Sequence, residues 1–390
     1  MEECLYNVDP DTKEEKQSMN KLLRITFVIP NANLSGGIRI VAEHARMLHE
    51  RGHTVTVVSG RCSRPSLKTH IKAAIRGRRV LKVASGPTHL DDVPYRVHTI
   101  ERHRQITADD VPDADIIFAT WWETAEWIAR MPKNKGVPVN FLQHYEAHPG
   151  QPKDRVDAVW RLPMRKIVVS NWLMDIANNQ FDDMSAILVS NGLDTEHFAF
   201  KDRGLSGRKI IGAMYTGMSK NNFKRFWLAA ETVKVLQGRG IECNFIGFGG
   251  RSPLKDELPE GSCFETAPSQ QRIANIYASC DCWLFTSDKE GYGLPLLEAM
   301  ASGTPVVATP AGAAPELLQS GGGKLVDTDD PEVFADAVEA VLDLEDKEWR
   351  EMSIAARAEA ELHSWDKIGD AMENALKQIL DESKDNATER

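Results

Sequence analysis

The sequence predicts an α/β protein with two doubly wound parallel sheets that face a central cleft, and three observations lead to this prediction. Apolar runs rich in β-branched residues alternate with amphipathic helical stretches along most of the 390 residues, a pattern typical of a parallel sheet with helices on both faces. The same order of strands and helices occurs twice along the chain. At about 150 residues per domain, the length suits two or three domains with ample cores.

The first repeated unit begins with strand RITFVIP at residues 24–30, followed by the loop NANLSGG. The next segment, IRIVAEHARMLHE, places Val41, Ala45 and Leu48 at helical spacing, and Gly52 ends the helix. Strand TVTVVSG completes the unit. Further strands are predicted at DIIFAT, PVNFLQ, KIVVSN and AILVSN.

The second unit begins after the turn-rich segment NGLDTEHFAFKDRGLSGRK. It contains, in order, strand KIIGAMYTG, loop MSKNN, helix FKRFWLAAETVKVLQ, strand ECNFIGFGG, helix SQQRIANIYASC and strand CWLFTS. This order predicts two Rossmann-like halves joined near residues 195–208. Because ligands of such sheets bind beyond the carboxyl ends of the strands, the cleft between the halves is the expected binding site.

The predicted halves divide the chain into five parts. Residues 21–198 form the N-terminal domain and residues 199–364 form the C-terminal domain, and a separate helix follows over residues 365–382. We expect a disordered lead-in over residues 1–20 and a tail over residues 383–390.

Composition and charge exclude several classes of protein. The 57 acidic residues outnumber the 47 basic ones, and the net charge of −10 argues against general nucleic-acid binding. No apolar run approaches the roughly 20 residues that span a bilayer. The acidic N-terminus differs from a secretory signal, so we expect a cytoplasmic protein. The six cysteines include no CxxC pair, which disfavours a disulfide framework and a zinc ribbon.

The most informative segment is SDKEGYGLPLLEAMASGTPVVAT, residues 287–309. Gly291 and Gly293 predict a loop in which the backbone can approach a ligand closely, and a helix is expected to begin at Leu294. The free amides and the positive dipole end of that helix would suit a phosphate.

Two glutamates, Glu290 and Glu298, flank this turn and are separated by seven residues. In a fully helical stretch their backbones would lie about 12 Å apart, which is too far for the acid and base of a typical glycosidase. With Glu290 in the loop and Glu298 one turn into the helix, both carboxylates can accept hydrogen bonds from sugar hydroxyls in one pocket.

This segment resembles the Glu, seven residues, Glu signature of retaining glycosyltransferases with the GT-B fold, family four (glycosyl transferases group 1). The matching residues are Glu290, Gly291, Gly293, Leu294, Pro295 and Glu298. The resemblance extends from strand RITFVIP through the final helix. It implies that the N-terminal domain is the acceptor side, that the C-terminal domain binds the nucleotide-sugar, and that the helix over residues 365–382 crosses back onto the first domain. It implies that Glu298 holds the ribose hydroxyls of a nucleotide-sugar, that Glu290 contacts the transferred sugar, and that the amides of Gly293 and Leu294 meet the diphosphate.

The resemblance implies further site residues. Lys224, Glu290 and His144 are the expected catalytic residues, although a histidine after strand PVNFLQ could instead cap a turn. The expected donor-binding residues are Gly36, Gly37, Gly217, Lys220, Gly247, Gly249, Gly291, Tyr292, Gly293, Leu294, Glu298 and Glu316.

One position departs from the family pattern. The family usually has Gly-Arg and a later Lys after the first strand of the second domain, and these two cations neutralise the leaving diphosphate. This chain has Gly217, Met218 and Lys224, so the arginine position holds methionine, and Lys220 or Arg225 is a candidate for the missing charge.

The implied enzyme moves a sugar from a nucleotide-diphosphate-sugar to a glycan or glycolipid acceptor of cell-surface polysaccharide assembly. It needs no metal and no other cofactor, because Lys224 and the helix amides stabilise the diphosphate. Asp113 and Asp115 form a DxD pattern, which we interpret as turn residues at a strand entrance. Two alternatives stay open: a nucleotide-sugar 2-epimerase of the same architecture, and a non-catalytic GT-B protein.

Residues 61–82 carry eight basic residues and no acidic one, with Leu67, Ile71, Ala74 and Ile75 on one helical face. Three interpretations stay open for this stretch. It contacts an anionic membrane surface at the inner face of the membrane, it is a solvated helix facing the acidic rest of the protein, or it recognises the lipid diphosphate of an acceptor.

Overall fold

The computed structural model describes residues 21–61, 87–101, 103–207, 209–220, 222–254 and 257–388. The predicted lead-in and the basic stretch from residue 62 onward lie outside the described residues. In the part of the chain that is described, no helix combines the length and the apolar character that crossing a membrane requires.

Seven parallel strands form the sheet of the first domain. They are β1 Arg24–Ile29, β2 Thr54–Ser59, β3 Arg96–Thr99, β4 Ile116–Ala119, β5 Val137–Leu142, β6 Arg165–Val168 and β7 Ile187–Leu188. Their order across the sheet is β3-β2-β1-β4-β5-β6-β7. The helices described in this domain are α1 Gly36–Glu50, α2 Trp122–Ile128, α3 Lys153–Trp160 and α4 Asn171–Phe181, with short 3₁₀ turns at Ala108–Asp110 and Lys133–Lys135.

Six parallel strands form the sheet of the second domain. They are β8 Lys209–Met214, β9 Cys243–Gly249, β10 Cys263–Thr266, β11 Cys282–Phe285, β12 Val306–Ala308 and β13 Gly323–Leu325, in the order β10-β9-β8-β11-β12-β13. The helices are α5 Phe226–Gly238, α6 Gln270–Ser279, α7 Leu294–Ala301, α8 Ala314–Leu317, α9 Pro331–Leu342, α10 Asp346–Glu361 and α11 Trp365–Thr388.

Both sheets have the doubly wound strand order, which confirms the predicted fold class. The winding direction reverses between β1 and β4 in the first sheet and between β8 and β11 in the second. A crevice opens at the carboxyl ends of the strands at each reversal, because neighbouring helices leave there in opposite directions. Of the predicted site residues, Gly36 and Gly37 follow β1, Lys224 follows β8 and Glu290 follows β11.

The central strands form where the chain is apolar on both faces. In β1, every residue after Arg24 is buried, and Phe27 stacks on Phe118 of β4 with ring centroids 4.6 Å apart. In the second domain the fully buried indole of Trp283 packs against Gly212 of β8, where a Cβ would lie 2.5 Å from the ring. Burial on both faces of the sheet explains why the sequences of these strands are continuous apolar runs.

The chain passes between the domains at two adjacent points, residues 193 and 364, where Leu193 pairs with Ser364 in an isolated parallel bridge. From Trp365 onward, α11 packs on the first domain, and Arg51, which caps the C-terminal end of α1, pairs with Glu373 at 2.7 Å. The predicted crossing helix is therefore present.

This last helix is longer than predicted. It continues to Thr388, so the prediction of a tail is wrong over residues 383–388. The segment contains neither glycine nor proline to end a helix. Lys384 also pairs with Asp381 one turn earlier, at 2.8 Å, which supports the helical turn.

Candidate functional site

Two loops of the second domain, one after β8 and one after β11, form the centre of the candidate site. In the second loop Glu290 is 7% exposed and pairs through Oε1 with Nζ of Lys224. The same oxygen accepts a 2.8 Å hydrogen bond from Ser287 Oγ. The amide of Asp288 donates to the carbonyl of Phe223, which ties the two loops together. The carboxyl edge of the sheet therefore presents an ammonium and a carboxylate as a fixed pair.

Helix α7 begins at the same edge. Gly293 precedes it with φ +106°, and a Cβ there would lie 2.8 Å from the ring of Phe285, so this turn requires glycine. Pro295 fits the first turn because its missing N–H is not needed there. The first amides of a helix lack intrahelical acceptors and carry the positive end of the dipole. This arrangement suits an anion beside Glu290.

Glu298 lies one turn into α7 and is 5% exposed. Its Oε2 accepts a 3.0 Å hydrogen bond from the hydroxyl of Tyr277, and its Oε1 pairs with Arg39 at 2.9 Å. Burial and the nearby Glu298 carboxylate raise the pKa of Tyr277, so the phenol keeps the proton that it donates. Both oxygens of this carboxylate therefore have partners.

The pair between Arg39 and Glu298 joins the two domains. Arg39 belongs to α1 of the first domain, and Glu298 belongs to α7 of the second. The carboxylate is almost fully covered while the arginine side chain is 31% exposed, so solvent reaches the pair from the arginine side. A ligand that binds Glu298 therefore competes with Arg39 for this carboxylate or uses its remaining acceptor positions.

The loops of the two domains also touch directly beside Glu290. The carbonyl of Gly291 accepts a 2.7 Å hydrogen bond from Ser170 Oγ, at the start of α4. A Cβ at Gly291 would lie 1.6 Å from the carbonyl oxygen of Gln143, so only glycine allows this approach. The first domain therefore closes one side of the Lys224–Glu290 pair.

His144 follows β5 and lies on that side. Its Nδ1 is 2.8 Å from the carbonyl oxygen of Tyr145, so Nδ1–H donates and Nε2 keeps its lone pair. Burial lowers the pKa of His144, and the charges of Glu290 and Lys224 act on this pKa in opposite directions. The ring is consequently neutral at pH 7 and close to the Lys224–Glu290 pair.

The side chains of Glu316 and of the loop residue Tyr292 contact groups other than the Lys224–Glu290 pair. Glu316 accepts hydrogen bonds of 3.1 and 3.3 Å from the amide of Asn171 at the start of α4, and burial raises its pKa to about 7. The hydroxyl of Tyr292 is 3.0 Å from Nδ1 of His363. These contacts hold the domains and the loop together. These contacts do not involve Lys224 or Glu290.

The predicted glycines occupy two different settings. Gly36 and Gly37 open α1, and a Cβ at Gly36 would meet nothing within 4 Å, so this loop leaves open space for a ligand. Gly247 and Gly249 lie within β9 and are packed from inside the domain. A Cβ at Gly249 would lie 2.4 Å from the carbonyl oxygen of Tyr215.

Lys220 and Arg225, the two candidates for the missing positive charge, contact groups other than Glu290. The Lys220 ammonium lies 4.8 Å from the ring centroid of Trp227, and Arg225 pairs with Asp288. Met218 packs against the apolar core of the second domain. Lys224 is the one predicted cation that the structure pairs with Glu290.

The DxD pattern lies at the opposite edge of the first sheet. Asp115 immediately precedes β4 and pairs with Arg24 at the start of β1, while Asp113 accepts a 2.9 Å hydrogen bond from Lys135. These contacts agree with an interpretation as turn residues. Within the described ranges, no group of three or more His, Cys, Asp or Glu side chains is arranged to hold a metal ion.

Sequence reasoning missed Arg39, Tyr277 and Ser287. The position of Arg39 could have indicated a role, because the helix dipole disfavours a cation in the first turn of a helix. Such a cation is expected to have an acidic partner outside its own helix. Tyr277 lies among apolar residues of a predicted helix and is indistinguishable there from a core residue. Ser287 looked like an ordinary loop residue.

Part of the chain matches a known family. Residues 210–344 match the family described as Glycosyl transferases group 1. A D-inositol 3-phosphate glycosyltransferase of Corynebacterium diphtheriae is 36% identical over 105 residues, which are 27% of this chain and 24% of that protein. A protein of the same description from Acidothermus cellulolyticus is 25% identical over 93% of this chain and 90% of its own length. The alignment with the first relative thus spans about a quarter of its length.

Solved structures share the architecture of the whole chain. Sucrose-phosphate synthase of Thermosynechococcus elongatus has a TM-score of 0.67 at 16% identity, covering 91% of this chain and 98% of that one. HepE of Anabaena, solved in complex with UDP-glucose, has a TM-score of 0.68 at 17% identity, and the alignment covers 91% of this chain and 100% of that one. The chain therefore has the GT-B fold, and its residues 210–344 match the glycosyl transferases group 1.

Proposed function

We propose that the protein is a retaining hexosyltransferase that moves a sugar from a nucleotide-diphosphate-sugar to an acceptor. The observation that carries this proposal is the grouping of the Lys224–Glu290 pair and Glu298 around the N-terminus of α7, facing the first domain. The family match over residues 210–344 and the relatives described as glycosyltransferases support it.

The proposed mechanism depends on stabilising a departing diphosphate. Negative charge accumulates on this group as the bond to the sugar breaks, and an oxocarbenium-like sugar remains. The Lys224 ammonium and the amides of Gly293 and Leu294 stabilise that charge in a water-poor site. Glu290 holds Lys224 in place and contacts the transferred sugar. His144 keeps Nε2 available to accept a hydrogen bond from a sugar hydroxyl.

In this proposal, Glu298 binds the ribose hydroxyls of the donor. Its carboxylate already binds one hydroxyl donor, Tyr277, and one guanidinium, Arg39. Two ribose hydroxyls can replace the Arg39 contact with neutral donors of suitable spacing, since a carboxylate has about four acceptor positions. We also propose that transfer needs no metal, because a fixed ammonium and helix amides supply the positive charge.

A nucleotide panel tests the donor site first. Thermal shifts in EDTA against UDP, GDP, dTDP, ADP and their sugar conjugates are expected to show one selective response. A ligand at about 100 times its Kd adds about 2.7 kcal/mol to the free energy of unfolding. Because the ribose contacts are lost, the response should disappear in Glu298→Ala. It should persist in Glu361→Ala, whose carboxylate pairs with Arg357 at the surface.

The panel has two outcomes that contradict the proposal. If the wild-type protein responds to no nucleotide under any condition, the donor site is wrong and a non-catalytic GT-B protein is favoured. If a response requires an added divalent cation, the proposed metal independence is wrong.

A series of aromatic rings in the first domain supports a glycan or glycolipid acceptor. Ring centroids are 5.8 Å apart between Trp172 and His144, 6.3 Å between His144 and His148, and 6.2 Å between His148 and Trp121. Such rings stack on the C–H faces of a pyranose, and imidazoles bind its hydroxyls. The series includes His144, whose pKa is affected by the charges of Glu290 and Lys224. We propose that it receives the acceptor sugar of cell-surface polysaccharide assembly.

Replacing Trp172 tests this acceptor site. Trp172→Ala is expected to raise the KM for a glycan acceptor about tenfold, or about 1.4 kcal/mol, and to leave donor affinity unchanged. Initial rates with a panel of aryl glycosides measure this change. Trp127→Ala is the matched control, because Trp127 is half-buried in the same domain and lies outside the ring series. Equal effects of the two substitutions on KM would contradict the assignment.

The same assay separates transfer from 2-epimerisation. An epimerase would form free nucleoside diphosphate and an epimerised sugar in the absence of any acceptor. A transferase releases the nucleoside diphosphate in proportion to the glycosylated acceptor. The predicted membrane contact of residues 61–82 and the cytoplasmic location stay predictions.

A further inference from the structure

Five basic side chains that the structure describes lie on the loops at the carboxyl edge of the second sheet. Three of them have partners: Lys224 pairs with Glu290, Arg225 pairs with Asp288, and Lys220 lies over the ring of Trp227. The other two, Lys289 and Arg251, are exposed, and neither forms an ion pair with an acidic residue that the structure describes. Of these two, Arg251 lies over Gly217, in the loop that also contains Lys224.

The Arg251 guanidinium packs over Gly217, at the start of the loop that leads to Lys224. Arg251 follows β9 after Gly250, and one guanidinium nitrogen lies 2.7 Å from the position that a Cβ at Gly217 would occupy. Gly217 follows β8 with φ +114°, a conformation that favours glycine. Because Gly217 has no side chain, the guanidinium can cover its backbone.

The neighbouring side chains of Met218 and Glu257 contact other groups. Met218 packs against the apolar core of the second domain and brings no charge to the loop. The acidic neighbour Glu257 uses Oε2 to accept hydrogen bonds of 2.8 Å from Tyr215 Oη and from the amide of Leu254. Burial and the Glu257 carboxylate raise the pKa of Tyr215, and the nearby Arg251 charge opposes this rise.

A bound diphosphate carries more negative charge than the paired side chains of the site can neutralise. Lys224 and Glu290 cancel each other, and so do Arg39 and Glu298. The N-terminus of α7 contributes about half a positive charge. A departing nucleoside diphosphate carries several negative charges, so the paired side chains alone leave it poorly compensated. Arg251 adds one full positive charge at the same edge of the sheet.

Building on the function proposed above, we infer that Arg251 is the second cation of the donor site. Its guanidinium binds the diphosphate over Gly217, and Lys224 binds it from the loop below. The planar guanidinium can donate two parallel hydrogen bonds to phosphate oxygens. The site therefore selects a nucleoside diphosphate over the corresponding monophosphate and nucleoside.

Calorimetric titration of Arg251→Gln tests this inference. The probes are the nucleoside diphosphate that gives the largest thermal shift, its monophosphate and its nucleoside. The Kd of the diphosphate is expected to rise at least tenfold, whereas the Kd of the nucleoside stays unchanged. Arg251→Lys is expected to recover part of the loss, because it restores the charge without the planar geometry. The salt dependence of diphosphate binding should weaken in Arg251→Gln.

Arg239→Gln is the matched control. Arg239 lies at the C-terminal end of α5, at the opposite edge of the sheet, and pairs with Glu332, Asp336 and Glu339. Its Kd for the diphosphate is expected to equal that of the wild-type protein.

Three results would overturn the inference. An unchanged diphosphate Kd in Arg251→Gln removes Arg251 from the site while the proposed function stands. An equal loss for diphosphate and nucleoside shows that Arg251 acts on the base or on the fold. If the wild-type protein binds no nucleoside diphosphate at all, the proposed function fails and this inference fails with it.

Discussion

Replacing Lys224 by methionine is expected to lower kcat for sugar transfer by about 10²- to 10³-fold. The Lys224 ammonium lies against Glu290 at the N-terminus of α7, where negative charge develops on the departing diphosphate. Removing one fixed donor from such a position costs about 3–4 kcal/mol of transition-state stabilisation. The affinity for the intact donor is expected to change less, because the charge on the diphosphate is smaller before the bond breaks.

Single-turnover rates and donor Kd values, measured together, check this expectation. Lys234→Met is the matched control, since Lys234 lies on α5 and pairs with Glu231 near the surface. Glu290→Gln complements the measurement by keeping a hydrogen-bond acceptor for Lys224 while removing the negative charge. An unchanged kcat in Lys224→Met would remove this residue from the catalytic site.

Replacing Glu298 by alanine is expected to raise the donor Kd about 100-fold. Two ribose hydroxyls would lose a charged acceptor, and each such hydrogen bond contributes about 1.5 kcal/mol or more. The substitution also removes the partner of Arg39 across the cleft. Loss of the ribose contacts and loss of the interdomain contact are therefore two possible causes.

Arg39→Gln separates these causes. It removes the guanidinium and leaves the Glu298 carboxylate and its hydrogen bond from Tyr277 in place. If Glu298 binds ribose, the donor Kd of Arg39→Gln should stay near the wild-type value or fall, because the competing partner is gone. Calorimetry on both variants with the selected nucleotide gives the comparison. A loss of affinity in Arg39→Gln as large as that in Glu298→Ala would show that the interdomain contact is the cause.

The central strands were predictable because each is a local apolar run. β1, β4 and β11 are buried almost throughout, and their sequences show it without reference to the rest of the chain. The short outer strands β3, β10 and β13 were not predicted. Their residues are partly or fully exposed, so they lack a continuous apolar pattern, and pairing with the neighbouring strand decides their conformation.

The turn before α7 was also predictable, because Gly293, Leu294, Pro295 and Glu298 act within nine consecutive residues that begin at Glu290. A glycine before the helix and a proline in its first turn are local requirements of the backbone. Lys224 was predicted from the resemblance, because the family pattern has a lysine after the first strand of the second domain. Arg251 was not found, because its contact with Gly217 joins the ends of two strands that only the sheet brings together.

Two doubly wound halves and a glycine turn with two glutamates can be read from the chain without its structure. These features follow from backbone conformation and from the apolar pattern over a few neighbouring residues. The cation that faces each carboxylate cannot be read in this way, because it depends on how distant segments pack. Arg39 and Glu298 are 259 residues apart and belong to different domains. Their pairing depends on how the two domains pack, since a side-chain ion pair requires a distance of about 3–4 Å that no local pattern specifies.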